Sequence, residues 1–377
     1  MTNNFCYHPF HGFDINNDGS IKPCCKFRPE LFPNWEQCNI TQGIDSYLKN
    51  DSVKQLQTMF LNGEKPAACV RCWEDEAAGL KSKRQMDLIN YDNKIFLDNE
   101  IKFLGLPLGN LCNLKCRICT PKSSSSLIKE YQDLFGERIK HYNWYKDKKI
   151  WQEVTDLAKG CVELEISGGE PFLYENVEHI SLIENLLESN NASNIKLHYT
   201  TNGTIRPTDF LFDAWDKFKL VEIQVSVDDF GKRFEYNRFP ASWDTVKENL
   251  LNYNSKSKVK TNMKFSISTT VSAFTIFYLD EFFTTIAKMK LPKPWLGRLH
   301  YPEYYRPSIF PLDIKKQIEK KLLQSRFKDV KSTASWLNAD DSQHWGKFLK
   351  MVDMYDKYRN QKFVNIFPEL AELAQIK

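Results

Sequence analysis

Three features are missing from the sequence, and each absence excludes a class of protein. No run of about 18 consecutive apolar residues occurs, so no segment is predicted to span a membrane. The N-terminus has no basic segment followed by a continuous apolar stretch, which a secretory signal would require. Neither sign of charge dominates, because 52 Lys and Arg residues stand against 48 Asp and Glu residues, and this balance makes no general case for nucleic-acid binding. We therefore expect a cytoplasmic protein without a membrane or nucleic-acid partner.

Cysteines and aromatic residues are, in contrast, abundant. The chain of 377 residues has ten cysteines and no export signal, which favours metal ligands over disulfides because the cytosol keeps thiols reduced. Aromatic residues make up 14% of the chain, which suits a protein that encloses a cofactor. The length allows one large domain of roughly 200 to 250 residues together with smaller regions.

Six of the cysteines lie in the first 95 residues. Turn signals separate them, including N-N-D-G at Asn16–Gly19, and one helical stretch is predicted near Ser46–Asn62. A segment so short and rich in loops buries little apolar surface, so we expect a metal to stabilise it. A largely polar run, Tyr91–Asn99, marks its end. The six cysteines are Cys6, Cys24, Cys25, Cys38, Cys69 and Cys72.

From residue 101 to residue 299 the pattern alternates between strands and helices, which is typical of a parallel sheet. The predicted strands are Ile101–Leu108, Cys161–Ser167, Ile195–Thr201, Leu220–Asp228, Met263–Val271 and Trp295–His300. Helices are predicted near Ser123–Phe135, Trp151–Lys159, Glu175–Ser189, Thr208–Lys217, Ser242–Asn254 and Thr275–Met289. Five or six such units predict a partial barrel, because a full barrel has eight.

Polar and apolar residues alternate along four of these strands. In the second predicted strand, for example, Glu163 and Glu165 share one face while Leu164 and Ile166 share the other. Because helices cover the outside of a β/α barrel, the polar rows are expected to face the interior. A closed eight-stranded barrel fills its interior with branched apolar side chains, so the polar rows indicate a lumen that holds water, a cofactor and a substrate.

After residue 300 the chain is rich in aromatic and charged residues, and helices are predicted near Leu312–Gln324 and Trp345–Tyr358. We expect this tail to cover the side of the barrel left open by the missing strands. The sequence therefore predicts an α/β protein in three parts. These are a cysteine-rich domain at 1–95, a partial (β/α)6 barrel of the TIM type at 96–300, and a helical C-terminal cap at 301–377.

The loop after the first predicted strand, L-C-N-L-K-C-R-I-C-T-P at 111–121, has three thiols within eight residues. Cys112, Cys116 and Cys119 follow C-x3-C-x2-C spacing. Three thiolates are one ligand short of the four in a closed zinc or iron-sulfur site. The site therefore either takes a ligand from elsewhere or keeps one metal position open for a substrate. A zinc knuckle is the structural alternative.

A second motif, S-G-G-E-P at Ser167–Pro171, follows the second predicted strand. Together with the cysteine loop, and in this order, it resembles the radical S-adenosylmethionine (SAM) superfamily over roughly residues 100–300. The resemblance implies that the three cysteines hold a catalytic 4Fe-4S cluster whose fourth iron chelates SAM. It also implies that the methionyl amine of SAM contacts Gly168, Gly169, Glu170 and Pro171. Consecutive glycines admit a ligand close to the backbone, and a carboxylate accepts from an ammonium. For the two glycines alone, a tight turn is the alternative.

Three residues at the ends of later strands, and one arginine in E-Y-N-R-F before a predicted helix, look like positions of the same family. Asn202, Ser226 and Asp228 would lie near the ribose and the methionyl carboxylate of SAM, and Arg238 would pair with that carboxylate. A turn-forming Asn and a solvated Arg are the alternatives. Ile118 departs from the aromatic residue that many members have before the last cysteine, so adenine is expected to stack less well there.

The N-terminal cysteines have a resemblance of their own. Cys6, Gly19 and Cys24 form C-x12-G-x4-C, which is similar to the opening motif of SPASM and twitch auxiliary-cluster domains. Those domains usually follow the barrel, whereas this motif precedes it. The resemblance implies a second 4Fe-4S cluster, and a zinc site with four cysteines is the alternative because spacing alone does not separate the metals. The assigned ligands are Cys6, Cys24, Cys69 and Cys72, with Cys25 and Cys38 as substitutes.

Other residues of the polar rows are candidates for hydrogen or proton transfer, or pair with one another. Cys161 could donate a hydrogen atom to a substrate radical, although a small core residue is the commoner role. His198 is expected to pair with a lumen carboxylate such as Glu165 or Glu222. The candidate proton acceptors are Glu163, Glu165, Glu222 and Asp228.

The family resemblance implies an oxidoreductase that cleaves SAM reductively to a 5'-deoxyadenosyl radical and abstracts hydrogen from a substrate carbon. Relatives with auxiliary domains commonly oxidise, crosslink or epimerise peptides, so a peptide or protein substrate is expected. A reducing partner such as flavodoxin or ferredoxin is expected as well. An enzyme that acts on a free small molecule is one alternative, and an iron-sulfur protein that never turns SAM over is another.

Overall fold

The structure is a computed structural model, and it describes residues 4–77, 79, 81–91, 100–173 and 176–376. The chain divides into two compact units. The first comprises residues 1–113, 121–200 and 207–222, and the second comprises residues 114–120, 201–206 and 223–377. The boundaries of these two units differ from the boundaries of the three predicted parts. The three-part division stays a prediction. Beyond Tyr91, the polar run expected to end the first part lies outside the described residues.

The secondary structure alternates along most of the chain. The strands, in chain order, are β1 (Gly12–Ile15), β2 (Ser20–Lys22), β3 (Cys38–Asn39), β4 (Phe103–Pro107), β5 (Glu163–Ser167), β6 (Lys196–Thr201), β7 (Leu220–Ser226), β8 (Met263–Val271) and β9 (Trp295–Arg298). The helices up to residue 215 are α1 (His8–His11), α2 (Asp45–Leu48), α3 (Asp51–Leu61), α4 (Val70–Ala77), α5 (Lys83–Asn90), α6 (Leu127–Phe135), α7 (Lys148–Ala158), α8 (Val177–Glu188) and α9 (Asp209–Trp215). The later helices are α10 (Gly231–Asn237), α11 (Trp243–Val259), α12 (Leu279–Lys288), α13 (Leu312–Leu323), α14 (Lys328–Ser332), α15 (Trp345–Arg359), α16 (Phe363–Ile366) and α17 (Pro368–Leu373). None of the helices that the structure describes is both long and apolar enough to cross a bilayer.

All six predicted barrel strands are present as β4 to β9, and their ends agree with the prediction within two residues. A predicted helix follows each of the first five strands and another precedes β5, so the predicted α/β fold, a partial β/α barrel, is confirmed. Helix α6 begins at Leu127 rather than near Ser123. The predicted start of α8 at Glu175 lies outside the described residues.

In the first unit, the strands pair in the order β3-β2-β1-β4-β5-β6. Strand β1 runs parallel to β4, β4 to β5, and β5 to β6, whereas β2 and β3 add antiparallel pairs at the edge. The predicted N-N-D-G turn joins β1 to β2, with Gly19 at φ +82° and its amide donating to Asn16 O at 2.9 Å. The sequence did not indicate β1, β2 or β3, because strands of two to four residues are too short for alternation to be visible.

The predicted alternation along the strands is confirmed in the first unit. On β5, Leu164 and Ile166 are completely buried, while Glu163 and Glu165 are partly exposed. The same alternation holds along β6, where Leu197 and Tyr199 are buried. The apolar row is therefore the core side of this sheet, and the polar row is the opposite side.

In the second unit, β8 runs parallel to β9, and the core includes an aromatic cluster around Phe274. Phe274 packs against Tyr305 and against Phe348, Phe363 and Phe367 of the C-terminal region. The two predicted C-terminal helices are confirmed as α13 and α15. The sequence missed α10, α14, α16 and α17, which have four to seven residues and show little helical periodicity.

Candidate active site

The S-G-G-E-P loop follows β5 and packs against the beginning of the cysteine loop. Gly168 and Gly169 have φ values of +82° and +30°, which side-chain-bearing residues rarely adopt. A Cβ atom on Gly169 would lie 1.9 Å from Leu111 O, so no other residue fits there. The amide of Glu170 donates to the same Leu111 O at 2.8 Å. The two motifs are thus in contact through Leu111, the residue that precedes Cys112.

Glu170 is completely buried and is held by its own loop. Its Oε1 accepts from the amide of Phe172 at 3.2 Å, and its carbonyl accepts from Asn176 Nδ2 at 2.9 Å. Asn176 is buried directly before α8, and no signal beyond a polar residue at a helix start marks this role in the sequence. The motif is therefore fixed in place before any ligand binds.

Cys112 is anchored by two serines from the run S-S-S-S at 123–126. The amide of Cys112 donates to Ser125 Oγ at 3.2 Å, and Ser126 Oγ donates to Cys112 O at 2.7 Å. Asn110 Nδ2 donates to Pro121 O at 2.8 Å and closes the loop at its base. The serines therefore hold the first cysteine, which explains why α6 begins only after them.

Cys116 and Cys119 belong to the second unit and are both half-buried. The amide of Cys119 donates to Cys116 O at 3.1 Å, so the two thiols stand on one turn. Arg238 is buried, and its Nη2 lies 2.9 Å from Asp228 Oδ2. Burial lowers the pKa of Arg238, but Asp228 and the thiolates of Cys116 and Cys119 outweigh it and raise the pKa. The second unit thus brings four predicted site residues within electrostatic reach of one another.

The other predicted residues of the second unit have roles within the protein. Asp228 accepts from the amide of Thr270 at 2.9 Å as well as from Arg238. Asn202 Oδ1 accepts from the amide and the hydroxyl of Thr204, at 2.8 and 2.6 Å, in the geometry of a turn-forming Asn. Ser226 ends β7 and is partly exposed. Their contacts with SAM stay predictions.

The four N-terminal cysteines assigned to a second centre line one small cavity in the first unit. Cys6 precedes α1, Cys24 follows β2, Cys69 ends a short 3-10 turn, and Cys72 lies on α4. Phe27 and Phe60 form part of the wall. The remaining lining residues are basic, namely His8, Lys26, Lys83 and Arg84. Four thiols with neighbouring Lys and Arg side chains match the donor set of a tetrathiolate metal centre, whose charge is negative.

Burial raises the pKa of each of these four thiols, and neighbouring thiolates add to the rise in Cys6, Cys24 and Cys69. Arg84 connects two segments that border the cavity, because its Nη1 donates to Phe5 O at 2.8 Å and its Nη2 lies 2.7 Å from Glu76 Oε2 on α4. Among the residues that the structure describes, no three His, Cys, Asp or Glu side chains converge on a single point as ligands of one ion do.

The two substitute cysteines lie elsewhere. Burial and the charges of Glu165 and Asp14 raise the pKa of Cys25 to about 12, so carboxylates lie near this thiol. Cys38 donates to Ser46 O at 3.2 Å and accepts from Asn50 Nδ2 at 3.1 Å. Neither Cys25 nor Cys38 is among the described residues that line the four-thiol cavity.

The polar row of the first unit is a network of charged groups. His198 Nδ1 lies 3.4 Å from Glu222 Oε2, which confirms that a carboxylate of the polar row pairs with this histidine. Lys196 Nζ lies 2.9 Å from the same oxygen. Burial raises the pKa of Glu222, but the hydrogen bonds from His198 and Lys196 outweigh it and lower the pKa to about 2. Glu222 is therefore ionised at neutral pH and is a poor proton acceptor.

Asp14 is a member of this row that the sequence did not reveal. It stands beside Gly105 on β4, which in turn stands beside Glu165 on β5. A Cβ atom on Gly105 would lie 2.0 Å from Asp14 Oδ1, so the carboxyl group occupies the space of the missing side chain. Burial and the charge of Glu165 raise the pKa of Asp14 to about 6.

Cys161 lies in the core rather than in the polar network. It is 1% exposed, and its Sγ lies 3.5 Å from Leu157 O. Burial raises its pKa to about 12. These contacts match the structural role and not that of a hydrogen donor.

Comparison with known families identifies the central part of the chain. Residues 106–267 match the Radical SAM superfamily, a span that includes both the cysteine loop and the S-G-G-E-P motif. The chain contains a radical SAM domain. The matched span includes the end of β4, all of β5 to β7 and the first part of β8.

Individual relatives of the chain are distant. GTP 3',8-cyclase of Actinobacillus pleuropneumoniae serotype 3 (strain JL03) is 25% identical over 136 residues, which are 36% of this chain and 35% of that protein. Among solved structures, anSMEcpe with bound AdoMet is 18% identical, with a TM-score of 0.42 and coverage of 59% of this chain and 56% of that one. Streptococcus suis SuiB bound to precursor peptide SuiA is 15% identical, with a TM-score of 0.36 and coverage of 95% and 73%. The chain thus spans only part of the curated relative and of anSMEcpe.

Proposed function

We propose that this protein is a radical SAM enzyme in which Cys112, Cys116 and Cys119 hold a 4Fe-4S cluster. The observation that carries the proposal is the contact of Gly169 and Glu170 with Leu111, because it joins the two motifs of the domain next to the first cysteine. Three thiols leave one iron without a protein ligand, which is the position that SAM would take.

Two charged residues suit the two charged groups in the methionine part of SAM. The Glu170 carboxylate would accept from the ammonium, and the Arg238 guanidinium would pair with the carboxylate. When bound and reduced, the cluster and SAM would supply a 5'-deoxyadenosyl radical that abstracts hydrogen from a substrate carbon. Asp228 would hold Arg238 in its orientation, since it already accepts from Arg238 Nε at 2.9 Å.

The proposal includes a second 4Fe-4S centre held by Cys6, Cys24, Cys69 and Cys72. Its support is the shared cavity and the similarity of C-x12-G-x4-C to auxiliary-cluster domains. Such a centre would accept an electron from the product or bind the substrate. Since partly exposed thiolate sites need reducing surroundings, we also propose a cytoplasmic location and a reducing partner such as flavodoxin or ferredoxin.

A peptide or protein is the proposed substrate. The support is again the N-terminal motif, because relatives with such domains commonly modify peptides. A free small molecule is the second candidate, favoured by the sequence match to GTP 3',8-cyclase. Peptides encoded next to the gene and GTP itself are the first two substrates to test.

The experiment is anaerobic reconstitution followed by metal analysis and incubation with dithionite and SAM. Two clusters predict about eight irons per chain, whereas about four irons with bound zinc would remove the second cluster from the proposal. Formation of 5'-deoxyadenosine supports the enzyme. No 5'-deoxyadenosine, with or without the test substrates, would favour an iron-sulfur protein that does not turn SAM over.

A further inference from the structure

Arg117 lies in the cysteine loop between Cys116 and Cys119, and its side chain is completely buried. Arginine is almost never fully buried unless it is paired. This residue is not needed as a cluster ligand, so its burial requires another explanation.

The partners of Arg117 come mainly from the C-terminal region. Its Nη2 lies 2.5 Å from Asp356 Oδ1 on α15 and donates to Gln361 Oε1 at 2.8 Å. Its guanidinium lies 3.9 Å from the centre of the Tyr236 ring and 5.5 Å from that of Tyr355. Residues far apart in sequence thus enclose one side chain of the cysteine loop.

Asp356 is itself held by further hydrogen bonds. Tyr236 Oη donates to Asp356 Oδ1 at 2.8 Å, and the amide of Phe363 donates to Oδ2 at 2.5 Å. The carboxylate therefore joins the cysteine loop, α10 and the start of α16. Arg117 Nε and Nη1 are buried with no acceptor among the described residues, so Asp356 is the main source of charge compensation for the guanidinium.

The backbone of the same loop is attached to the segment that carries Arg238. Lys115 N donates to Phe239 O at 2.6 Å, and Arg117 N donates to Asn237 O at 2.8 Å. These two acceptors flank Arg238. These hydrogen bonds therefore fix the position of the loop relative to Arg238, the residue proposed to bind the carboxylate of SAM.

We propose that Asp356 and Arg117 are positioning residues through which α15 holds the cysteine loop in the geometry that a cluster requires. The proposal rests on the proposed function, since it assigns a role toward that cluster. Helix α15 is then a part of the cofactor site, although it contributes no ligand.

The test compares Asp356→Asn with Asp353→Asn in the full chain. Asp353 lies on the same helix and pairs with Lys357 at 2.7 Å in an exposed position, so it is the matched control. In iron-free protein, we expect the amides of Lys115 and Arg117 to exchange hydrogen at least about tenfold faster in Asp356→Asn, because removing one partner of a buried pair is strongly destabilising. In reconstituted protein, a chelator should remove iron at least about tenfold faster from the same variant, and its SAM-dependent EPR signal should broaden.

Exchange and iron retention equal to those of the wild type would overturn the proposal. If Asp356→Asn does not fold, Tyr236→Phe and Arg117→Lys decide, since each removes part of the hydrogen bonding and keeps the volume or the charge. Failure of the proposed function is a separate outcome, because wild-type protein would then bind no iron at the three cysteines. The exchange measurement on iron-free protein would still test the attachment of the loop.

Discussion

The two sets of cysteines differ in number and surroundings. Four N-terminal thiols line one cavity with aromatic and basic walls; Cys6 and Cys72 are buried, whereas Cys24 and Cys69 are partly exposed. The thiols of Cys112, Cys116 and Cys119 are all half-buried and stand on one loop. A set of four thiols around one cavity suits a structural or electron-transfer centre, whereas a set of three thiols suits a centre that binds a ligand. The difference therefore supports the assignment of one site of each kind.

The means of support differ in the same way. The N-terminal cavity is part of a hydrophobic cluster that includes Phe27, Phe32 and Phe60. The Arg84–Glu76 ion pair adds to this support. The C-x3-C-x2-C loop is held by hydrogen bonds and a buried ion pair, such as those of Ser125 and Arg117. Polar support fixes geometry with few atoms and leaves the thiols accessible.

The largest effect is expected from replacing Cys112, Cys116 and Cys119 together with Ala. This change should abolish 5'-deoxyadenosine formation and leave about four irons per chain, because only the second cluster remains. Iron analysis and product chromatography measure both results. Retention of about eight irons would show that the loop is not the site of a cluster.

The next largest effect is expected from Cys72→Ser, with Cys38→Ser as the control. Cys72 lines the thiol cavity, whereas Cys38 is bonded to Ser46 and Asn50 outside it. Because a structural metal site contributes folding free energy directly, Cys72→Ser should lose iron and lower the Tm by several degrees, at roughly 2–4 °C per kcal/mol in a domain of 150–250 residues. Equal iron content in the two variants would contradict the ligand assignment.

A smaller effect is expected from Gly169→Ala. The new Cβ would overlap Leu111 O at 1.9 Å, and the positive φ disfavours any side chain, so the variant should lose more than about 1 kcal/mol of stability and bind SAM more weakly. Gly346→Ala is the matched control, because Gly346 lies within α15. Apart from the backbone of that helix and the two neighbouring residues in the chain, no described atom lies within 4 Å of the position that a Cβ atom would take there. Equilibrium unfolding and SAM titration measure the difference, and equal losses in both variants would contradict the steric explanation.

The sequence predicted the parts of this molecule that depend on local pattern. The six barrel strands follow from alternation over five or more residues in most cases, and the radical SAM motifs follow from spacing within short loops. Asp14 was missed because its role depends on the strand register that places it beside Gly105. Asp356 was missed because its role depends on the helix packing that places it beside Arg117. In both cases the two residues are more than 80 positions apart in the sequence. No local pattern encodes such distances.

Ser125 and Ser126 show a different reason for failure. The run S-S-S-S has no periodicity, and serine is common in loops, so the sequence favours no structure for it. Its role emerges only from the hydrogen bonds to Cys112. Short polar segments next to a cofactor motif are therefore the places where the sequence is least informative and the site is most dependent on the fold.

The smallest effect at neutral pH is expected from Glu222→Gln, which tests whether loss of iron at either site merely reports general destabilisation. The folded-state pKa of Glu222 is lowered to about 2 by His198 and Lys196 against the effect of burial. A carboxylate whose pKa is lower in the folded than in the unfolded state stabilises the fold at pH values above its unfolded-state pKa. This contribution is lost as the pH falls toward 2. The variant should therefore be less stable at neutral pH and show a weaker dependence of stability on pH between about 5 and 2, while its iron content at pH 7 stays that of the wild type. Iron loss in this variant equal to that of Cys72→Ser would mean that metal content follows stability alone, and the distinction between the two cysteine sites would then rest on 5'-deoxyadenosine formation.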